Sequence, residues 1–575
     1  MKLKLIINSI KLAFLASPFY FIFLIFVSVA SGLSYGFVTQ RTAIFFSTLE
    51  NIKSAENFQF FYFNLTFFIT ALCLNFFLNG FINYLIEIDA KKISTITNIK
   101  LHKKINSFPV SFFESAENLE KISAAREGAF INGYIAMIVV TFFSSTIPSI
   151  ISMSYFLFKI NFTLGFSCIG IIIPNLIIFK KQWKNFEEAD AGLLEAKRKR
   201  NYTEEMLTSK IFFKETRTLN IEPFLMEKYE RHAIEYEDRS IFVKIQNLKL
   251  DLKSNIINFI FYILIFSFSL YLALNGKISI SGFGTFFTSI GTMIFLIEQI
   301  FDNDFSVVRD SLPELLTMFY IFDLQVEKKE KYKLYASPEV TIENLSFKYP
   351  SCKKYALENI NLKIKKNQVL AIVGENGSGK TTLAKLLLGL YEPTHGVITV
   401  DGRNTKITQC FQNTSAVNQN FCTYNATIAE NIQIANFEKN ETEFEKFFLC
   451  NVKNIFPKKD IMLGREFGGI DLSKGQSQRL AILRGQYKDA FYIALDEPTS
   501  ALDPETEAAV IAELQKTTKN KTAVIITHRL TLAKKADIIL VLKNGKQIEF
   551  GNFNELMEKK GFFYKMFSAQ ADWYK

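Results

Sequence analysis

Six long apolar stretches constrain this chain more than any other feature. A helix needs roughly 20 mostly apolar residues to cross a bilayer, and its backbone groups must be satisfied inside the segment. The stretches cover residues 12–38, 60–86, 131–157, 162–179, 256–274 and 280–300. They predict six transmembrane helices, of which the third and fourth are joined by a tight turn at residues 158–161.

Positive charges predict how these helices are oriented. Lys and Arg concentrate at the N-terminus, between the second and third spans, and between the fourth and fifth spans. The other connections are short and nearly free of positive charge. Because cytoplasmic loops carry the excess of Lys and Arg, we expect both termini in the cytoplasm and the chain in the inner (cytoplasmic) membrane. The basic run at residues 197–200 is interpreted as a solvated helix face rather than a specific lipid site.

Composition agrees with a membrane protein and indicates no nucleic-acid partner. The net charge of +11 would suggest nucleic-acid binding in a soluble protein, but here the basic segments alternate with apolar runs. The six cysteines show no CxxC spacing, so neither a zinc site nor a disulfide framework is expected. The long polar segments between spans predict helices that extend well into the cytoplasm, and the sixth is expected to continue to about Leu324.

The sequence pattern changes after a Lys- and Glu-rich linker at residues 325–338. Short apolar runs at residues 340–347, 368–373, 491–495 and 523–527 predict strands, and residues 382–390 predict a helix. Strands that alternate with helices favour a parallel sheet with crossover helices. The predicted organisation is therefore an α-helical membrane domain (residues 1–324), the linker, and an α/β domain (residues 339–575).

A glycine-rich motif follows the strand at residues 368–373 and precedes the helix. It matches GxxxxGK[ST], in which backbone amides and the helix N-terminus hold phosphates. Lys380 is expected to reach the β- and γ-phosphates, and Thr381 to bind Mg²⁺. The motif consists of Gly374, Glu375, Asn376, Gly377, Ser378, Gly379, Lys380 and Thr381.

A pair of carboxylates ends the apolar run at residues 491–495. Asp496 suits Mg²⁺, which proteins often hold through water. Glu497 can polarise an attacking water as a general base. After a phosphate-binding loop, this pair predicts hydrolysis of a bound nucleotide that requires Mg²⁺.

These motifs, together with residues 472–476, resemble the ATP-binding cassette, and the resemblance extends over the whole chain. It implies that Tyr349 stacks on adenine, that Gln419 senses Mg²⁺, that Thr382 adjoins the nucleotide, and that His528 is a catalytic switch residue. It also implies that Ser473, Gly475 and Gln476 close over the γ-phosphate bound to the other subunit. Residues 500–503 resemble the loop that follows the carboxylates in this family.

The signature differs from the family pattern at Lys474, where a glycine is usual. A side chain here must point away from the nucleotide or add charge near the phosphates. Because the other signature residues are intact, we expect activity to survive. The composite site needs the phosphate loop of one subunit and the signature of another, so the resemblance implies a dimer, most simply a homodimer.

Six spans ahead of one cassette resemble an exporter half-transporter, in which short coupling helices transmit closure. Residues 107–119 and 207–219 are the candidates. Residues 463–471 and 213–217 further resemble lantibiotic and other bacterial peptide exporters. The predicted function is thus ATP-driven export, with a peptide as the favoured substrate, together with contact to membrane lipid.

Two alternatives stay open at this point. One is a lipid or drug exporter with the same engine, and the other is a sensor or immunity subunit that binds ATP without transport; the presence of Glu497 and His528 counts against the latter. Glu298 and Asp302 lie four residues apart near the inner end of the sixth span. They could attract a cationic peptide, or they could pair with Arg309 or a neighbouring helix.

Overall fold

The computed structural model describes residues 2–50, 55–325, 334–350, 352–404, 413–498 and 504–572. These residues form two compact units. The first, here called the helical unit, comprises Met1–Ser107 and Leu119–Leu324; the second, the α/β unit, comprises Phe108–Asn118 and Gln325–Lys575. Most of the predicted linker lies outside the described residues, so the predicted domain limits stay predictions.

The helical unit consists of long helices joined by short connections. Their bounds are α1 Lys2–Ala16, α2 Pro18–Glu50, α3 Ala55–Ile105, α4 Ala116–Thr141, α5 Ile147–Ile160, α6 Phe162–Thr208, α7 Lys210–Thr218, α8 Glu222–Leu274, α9 Ile280–Glu298, α10 Phe305–Asp310 and α11 Leu312–Asp323. Two π-helical segments, Phe142–Thr146 and Gln299–Asp304, interrupt this α-helical series.

Five helical stretches among the described residues are long and apolar enough to cross a membrane. They are Pro18–Glu50, Phe58–Ile105, Ala116–Ile160, Glu222–Leu274 and Ile280–Asp310. The predicted fourth span lies in α6, where several side chains fall outside the described set. The α-helical membrane domain is confirmed, and the protein is a multi-pass membrane protein.

Two details of the helix predictions are wrong. The predicted first span crosses a junction, because α1 ends at Ala16 and Pro18 begins α2. The sixth span does not continue as one α-helix to Leu324, since a π-helical segment follows Glu298 and a new helix starts after Ser311. Proline has no amide hydrogen and is tolerated in the first turn of a helix, which explains why Pro18 and Pro313 mark new starts.

The α/β unit contains two sheets and several short helices. Its strands are β1 Val340–Phe347, β2 Leu357–Ile364, β3 Val369–Gly374, β4 His395–Val400, β5 Thr414–Val417, β6 Tyr492–Asp496, β7 Thr522–Ile526, β8 Ile538–Lys543 and β9 Lys546–Gly551. Its helices are α12 Lys380–Leu387, α13 Ile428–Gln433, α14 Glu441–Phe447, α15 Lys474–Tyr487, α16 Pro504–Thr518, α17 Leu530–Ala533, α18 Phe553–Glu558 and α19 Phe562–Asp572.

The larger sheet has the strand order β5-β6-β7-β3-β8-β9, and all of its pairs are parallel except β8 with β9. Every residue of β6 and β7 is buried, as expected for parallel strands covered on both faces. The predicted strand at residues 340–347 belongs instead to a separate antiparallel sheet, with the order β2-β1-β4. The predicted α/β ATPase fold is confirmed.

Short helices occupy both candidate coupling segments. A 3₁₀ helix covers Val110–Glu114, and Ser209 caps α7 by accepting a hydrogen bond from the Ile211 amide. The first segment belongs to the α/β unit, where the Tyr391 hydroxyl donates to the Glu114 carboxylate.

Candidate nucleotide site

The phosphate loop links the end of β3 to the start of α12 through backbone conformations that favour glycine. Gly374, Gly377 and Gly379 have φ values of +152°, +77° and +98°. A Cβ atom at Gly374 would lie 2.1 Å from the Leu542 carbonyl oxygen of the neighbouring strand. Larger residues therefore cannot replace Gly374 without moving β8, and the loop keeps its amides clear for phosphates.

Lys380 lies across this loop. Its Nζ donates to the carbonyl oxygens of Gly374, at 3.0 Å, and Glu375, at 2.7 Å. The side chain is buried, and this burial lowers the pKa of Lys380, while the carboxylates of Glu497 and Asp496 oppose the shift. Phosphate oxygens of ATP could replace these neutral carbonyls as stronger, charged partners.

Asp496 ends β6 beside Thr381, with which it shares a side-chain hydrogen bond. Asp496 is 8% exposed, and its Oδ1 has no hydrogen-bond partner among the described residues. Burial raises the pKa of Asp496, and the Thr381 hydrogen bond opposes this shift. An orphaned buried carboxylate oxygen next to a threonine fits a hard cation such as Mg²⁺.

Glu497 contacts two other predicted site residues. Its Oε1 lies 3.0 Å from His528 Nε2, and its Oε2 accepts a hydrogen bond of 2.9 Å from Gln419 Nε2. Glu497 has a φ of +48°, a conformation that is uncommon for residues other than glycine and often marks functional positions. Burial and the Lys380 charge lower the pKa of His528, while the Glu497 carboxylate opposes this shift.

Tyr349 lies next to Thr382, a predicted site residue on α12. The two hydroxyl groups are 3.2 Å apart, and the Tyr349 ring meets the Phe347 and Tyr391 rings edge-on, at centroid distances of 4.9 and 5.6 Å. This packing fixes the ring that is predicted to stack on adenine. A cavity of about 280 Å³ beside α12 is lined in part by Thr381, Gln419 and Asp496.

The signature residues form a different kind of helix start. Ser473 caps α15 by accepting a bond from the Gln476 amide, and the Gln476 side chain accepts a bond from the Ser473 amide. Gly475 follows in the first turn, and Lys474 is exposed there. These hydrogen bonds join Ser473 and Gln476 to each other. A separate cluster consists of Lys380, Gln419, Glu497 and His528. Residues 500–503 lie outside the described residues.

Sequence reasoning missed two glutamines. Gln478, which is buried, donates to the Glu497 carbonyl oxygen at 3.3 Å from inside α15. Gln570 on α19 donates to the His528 carbonyl oxygen at 3.1 Å. A polar residue on the inner face of α15 could have signalled Gln478, but nothing in the local sequence links Gln570 to a site more than forty residues earlier.

Comparison with known proteins supports the same reading for both units. A family model described as ABC transporter matches residues 357–500, the segment that contains the phosphate loop, signature and paired carboxylates. The chain is 28% identical over 522 residues to the ATP-dependent lipid A-core flippase of Wigglesworthia glossinidia brevipalpis, covering 88% of each protein. It is also 28% identical over 537 residues to the subtilin transport ATP-binding protein SpaT of Bacillus subtilis, covering 87% of this chain and 84% of SpaT.

A solved structure extends the likeness to the whole fold. The chain superposes on a bacterial Atm1-family ABC exporter with ATP bound, with a TM-score of 0.77, 20% identity, and coverage of 96% of this chain and 97% of that one. At this identity the match concerns the fold, and the family follows from the sequence matches. The protein therefore belongs to the ABC transporter family, as an exporter-type half-transporter that couples ATP hydrolysis to translocation.

Proposed function

We propose that this exporter moves a cationic peptide out of the cytoplasm, as a homodimer in the cytoplasmic membrane with both termini in the cytoplasm. Two ATP molecules hold the α/β units together, the short helices at Val110–Glu114 and α7 pass this motion to the membrane helices, and hydrolysis resets the pump. In this scheme, each ATP lies between the phosphate loop of one subunit and the signature of the other. Each chain carries one of each, so two copies complete two equivalent sites.

The proposed hydrolysis step uses the cluster around Glu497. Glu497 accepts the proton of the attacking water, and His528, whose Nε2 lies 3.0 Å from Glu497 Oε1, orients this carboxylate. Lys380 and the loop amides stabilise the charge that develops on the phosphoryl oxygens. Tyr349 holds adenine, and Ser473 with Gly475 of the second subunit contacts the γ-phosphate.

The fit of Mg²⁺ rests on Thr381, Asp496 and Gln419. These residues offer a hydroxyl, a carboxylate and an amide oxygen, which are the hard ligands that this ion prefers. When bound, Mg²⁺ neutralises phosphate charge during transfer.

The preference for a cationic peptide rests on the acids near the end of α9. Arg309, the proposed alternative partner, instead bonds to Asp310 at 2.7 Å and to Gln182 at 3.2 Å. Within the described parts of the chain, neither Glu298 nor Asp302 forms an ion pair with a basic side chain, and each has another acid nearby: Asp302 for Glu298, and Asp251 for Asp302. Such uncompensated acids in a membrane helix are costly and are commonly functional. The likeness to SpaT, a protein of subtilin transport, supports a peptide substrate.

The experiment is substrate-stimulated ATPase activity in reconstituted lipid vesicles. A Lys-rich amphipathic peptide should stimulate hydrolysis, and the double variant Glu298→Gln with Asp302→Asn should lose most of that stimulation while its basal rate stays. The matched control is Glu230→Gln with Asp238→Asn, which removes two exposed acids from α8 and should behave as the wild type.

Two outcomes would contradict the cationic-peptide proposal. Equal stimulation of the acid-to-amide variant and the wild type would remove the role of Glu298 and Asp302. Stimulation by an added glycolipid but not by the peptide would favour the second candidate, a lipid exporter, for which the likeness to the lipid A-core flippases speaks.

A further inference from the structure

Helix α19 packs against β3, the strand that leads into the phosphate loop, and against β8. Phe563 is fully buried and packs in a cluster with Val373, the residue before Gly374, and with Val541. The Glu549 carboxylate on β9 accepts the amides of Phe562 and Phe563, the latter at 3.0 Å, and so satisfies amides at the first turn of α19. The start of α19 is therefore fixed relative to β3 and β8.

Near its other end, α19 places one side chain on the backbone that surrounds His528. The Gln570 amide nitrogen donates to the His528 carbonyl oxygen at 3.1 Å, and Gln570 Oε1 accepts from the Leu530 amide at 2.8 Å. The one side chain thus bridges both neighbours of Arg529. It also satisfies the first turn of α17, for which Arg529 provides no side-chain cap.

The other hydrogen bonds of residues 527–530 hold the neighbours of His528 rather than His528 itself. Thr527 is tied to β3 through the Ile372 carbonyl oxygen, at 3.3 Å, and accepts from the Arg529 amide at 2.9 Å. Arg529 itself forms an ion pair with Glu507. These bonds fix the residues on either side of His528, whereas its own carbonyl oxygen accepts a hydrogen bond from Gln570.

We propose that Gln570 is a positioning residue for ATP hydrolysis: it holds the backbone of His528 so that the imidazole stays within hydrogen-bond distance of Glu497. The 3.0 Å contact between His528 and Glu497 depends on backbone placement, because a shift of about 1 Å in a catalytic group can cost on the order of 100-fold in rate. Through Gln570, α19 contributes to turnover without touching the nucleotide. This inference rests on the role of His528 proposed above.

The test compares three substitutions at Gln570 in the full-length protein in vesicles. Gln570→Leu removes both hydrogen bonds at similar volume and should lower kcat about tenfold, with the KM for ATP within about twofold of the wild type. Gln570→Glu keeps the acceptor for the Leu530 amide and loses the donor to His528. Its kcat should therefore lie between those of the wild type and Gln570→Leu. Gln570→Asn keeps the amide on a shorter side chain, so its kcat should be lower than that of the wild type. Lys565→Ala, at an exposed position of α19, is the control and should leave kcat unchanged.

A second measurement separates positioning from simple destabilisation. In a His528→Ala background, Gln570→Leu should lower kcat no further, because the residue through which it acts is gone. An equal tenfold loss in both backgrounds, or an unchanged kcat in Gln570→Leu alone, would overturn the inference. If His528→Ala itself left hydrolysis unchanged, the proposed role of His528 would be wrong instead, so the two failures are distinguishable.

Discussion

Two helices of the α/β unit begin at residues proposed to bind the phosphates of ATP, and their first turns are built differently. The N-cap of α12 is Gly379, which has no side-chain cap. The N-cap of α15 is Ser473, and a reciprocal capping box with Gln476 satisfies its first turn. The amides of α12 are therefore open to phosphate within one chain, whereas Ser473 already accepts the Gln476 amide and has its hydroxyl hydrogen left to donate to a phosphate oxygen.

This difference fits the division of labour in the composite site proposed above. The positive end of a helix attracts phosphate in both cases. At α12, the glycine conformations and the buried Lys380 organise the site before ATP arrives. At α15, the capping box keeps the helix end stable while the second subunit is apart. Binding first at α12 and closing later at α15 is the order that this arrangement favours.

The largest expected effect comes from Glu497→Gln. This change removes the proposed base but leaves Lys380 and the α12 turn unchanged, so hydrolysis should fall by about 100-fold or more while ATP binding persists. The expected product is a closed, ATP-bound dimer, measurable by ATP retention and cross-linking. Glu438→Gln, at an exposed position of the α/β unit, is the control. Normal turnover in Glu497→Gln would refute the assignment of the base.

An intermediate effect is expected for Ser473→Ala. It removes the cap of α15, which should cost about 1 kcal/mol of stability, and a hydrogen bond to a charged phosphate, which should lower kcat/KM about tenfold. Asn440→Ala is the matched control, since Asn440 and Glu443 form the same kind of capping box at α14. Both variants should lose similar thermal stability. If both also lost similar activity, Ser473 would be only a structural cap.

The smallest effect is expected for Lys474→Gly. Lys474 is exposed in the first turn of α15, where a positive charge opposes the helix dipole by about 0.3–1 kcal/mol but could favour an incoming phosphate. These terms oppose each other, so ATPase activity should change by no more than about threefold. Lys474→Gln separates charge from length, and Lys453→Gln, at another exposed position, is the control. A loss above tenfold in both Lys474 variants would make Lys474 a phosphate ligand.

The sequence predictions were correct where a long hydrophobic run decides the structure. They were wrong where one or two residues, or distant pairing partners, decide it. The membrane helices and the strands at β3, β6 and β7 were predictable, because hydrophobic runs of sufficient length determine them. The junction at Pro18 and the π-helical turn after Glu298 were not, since one or two residues decide them within otherwise helical sequence. The separation of β1 from the larger sheet depends on pairing partners that its own pattern does not specify.

The sequence by itself determined the parts of the nucleotide site that are contiguous. The phosphate loop needs only glycines, a lysine and a following helix, and these lie side by side along the chain, as do Ser473 and Gln476. The tertiary structure alone decided that Gln419, Glu497 and His528 meet, because they follow β5, β6 and β7, which are neighbours in the sheet. It also decided that Gln570 reaches His528 and that Arg309 pairs away from Glu298. Contacts of this kind depend on which strands and helices pack together, and the local sequence does not specify that packing.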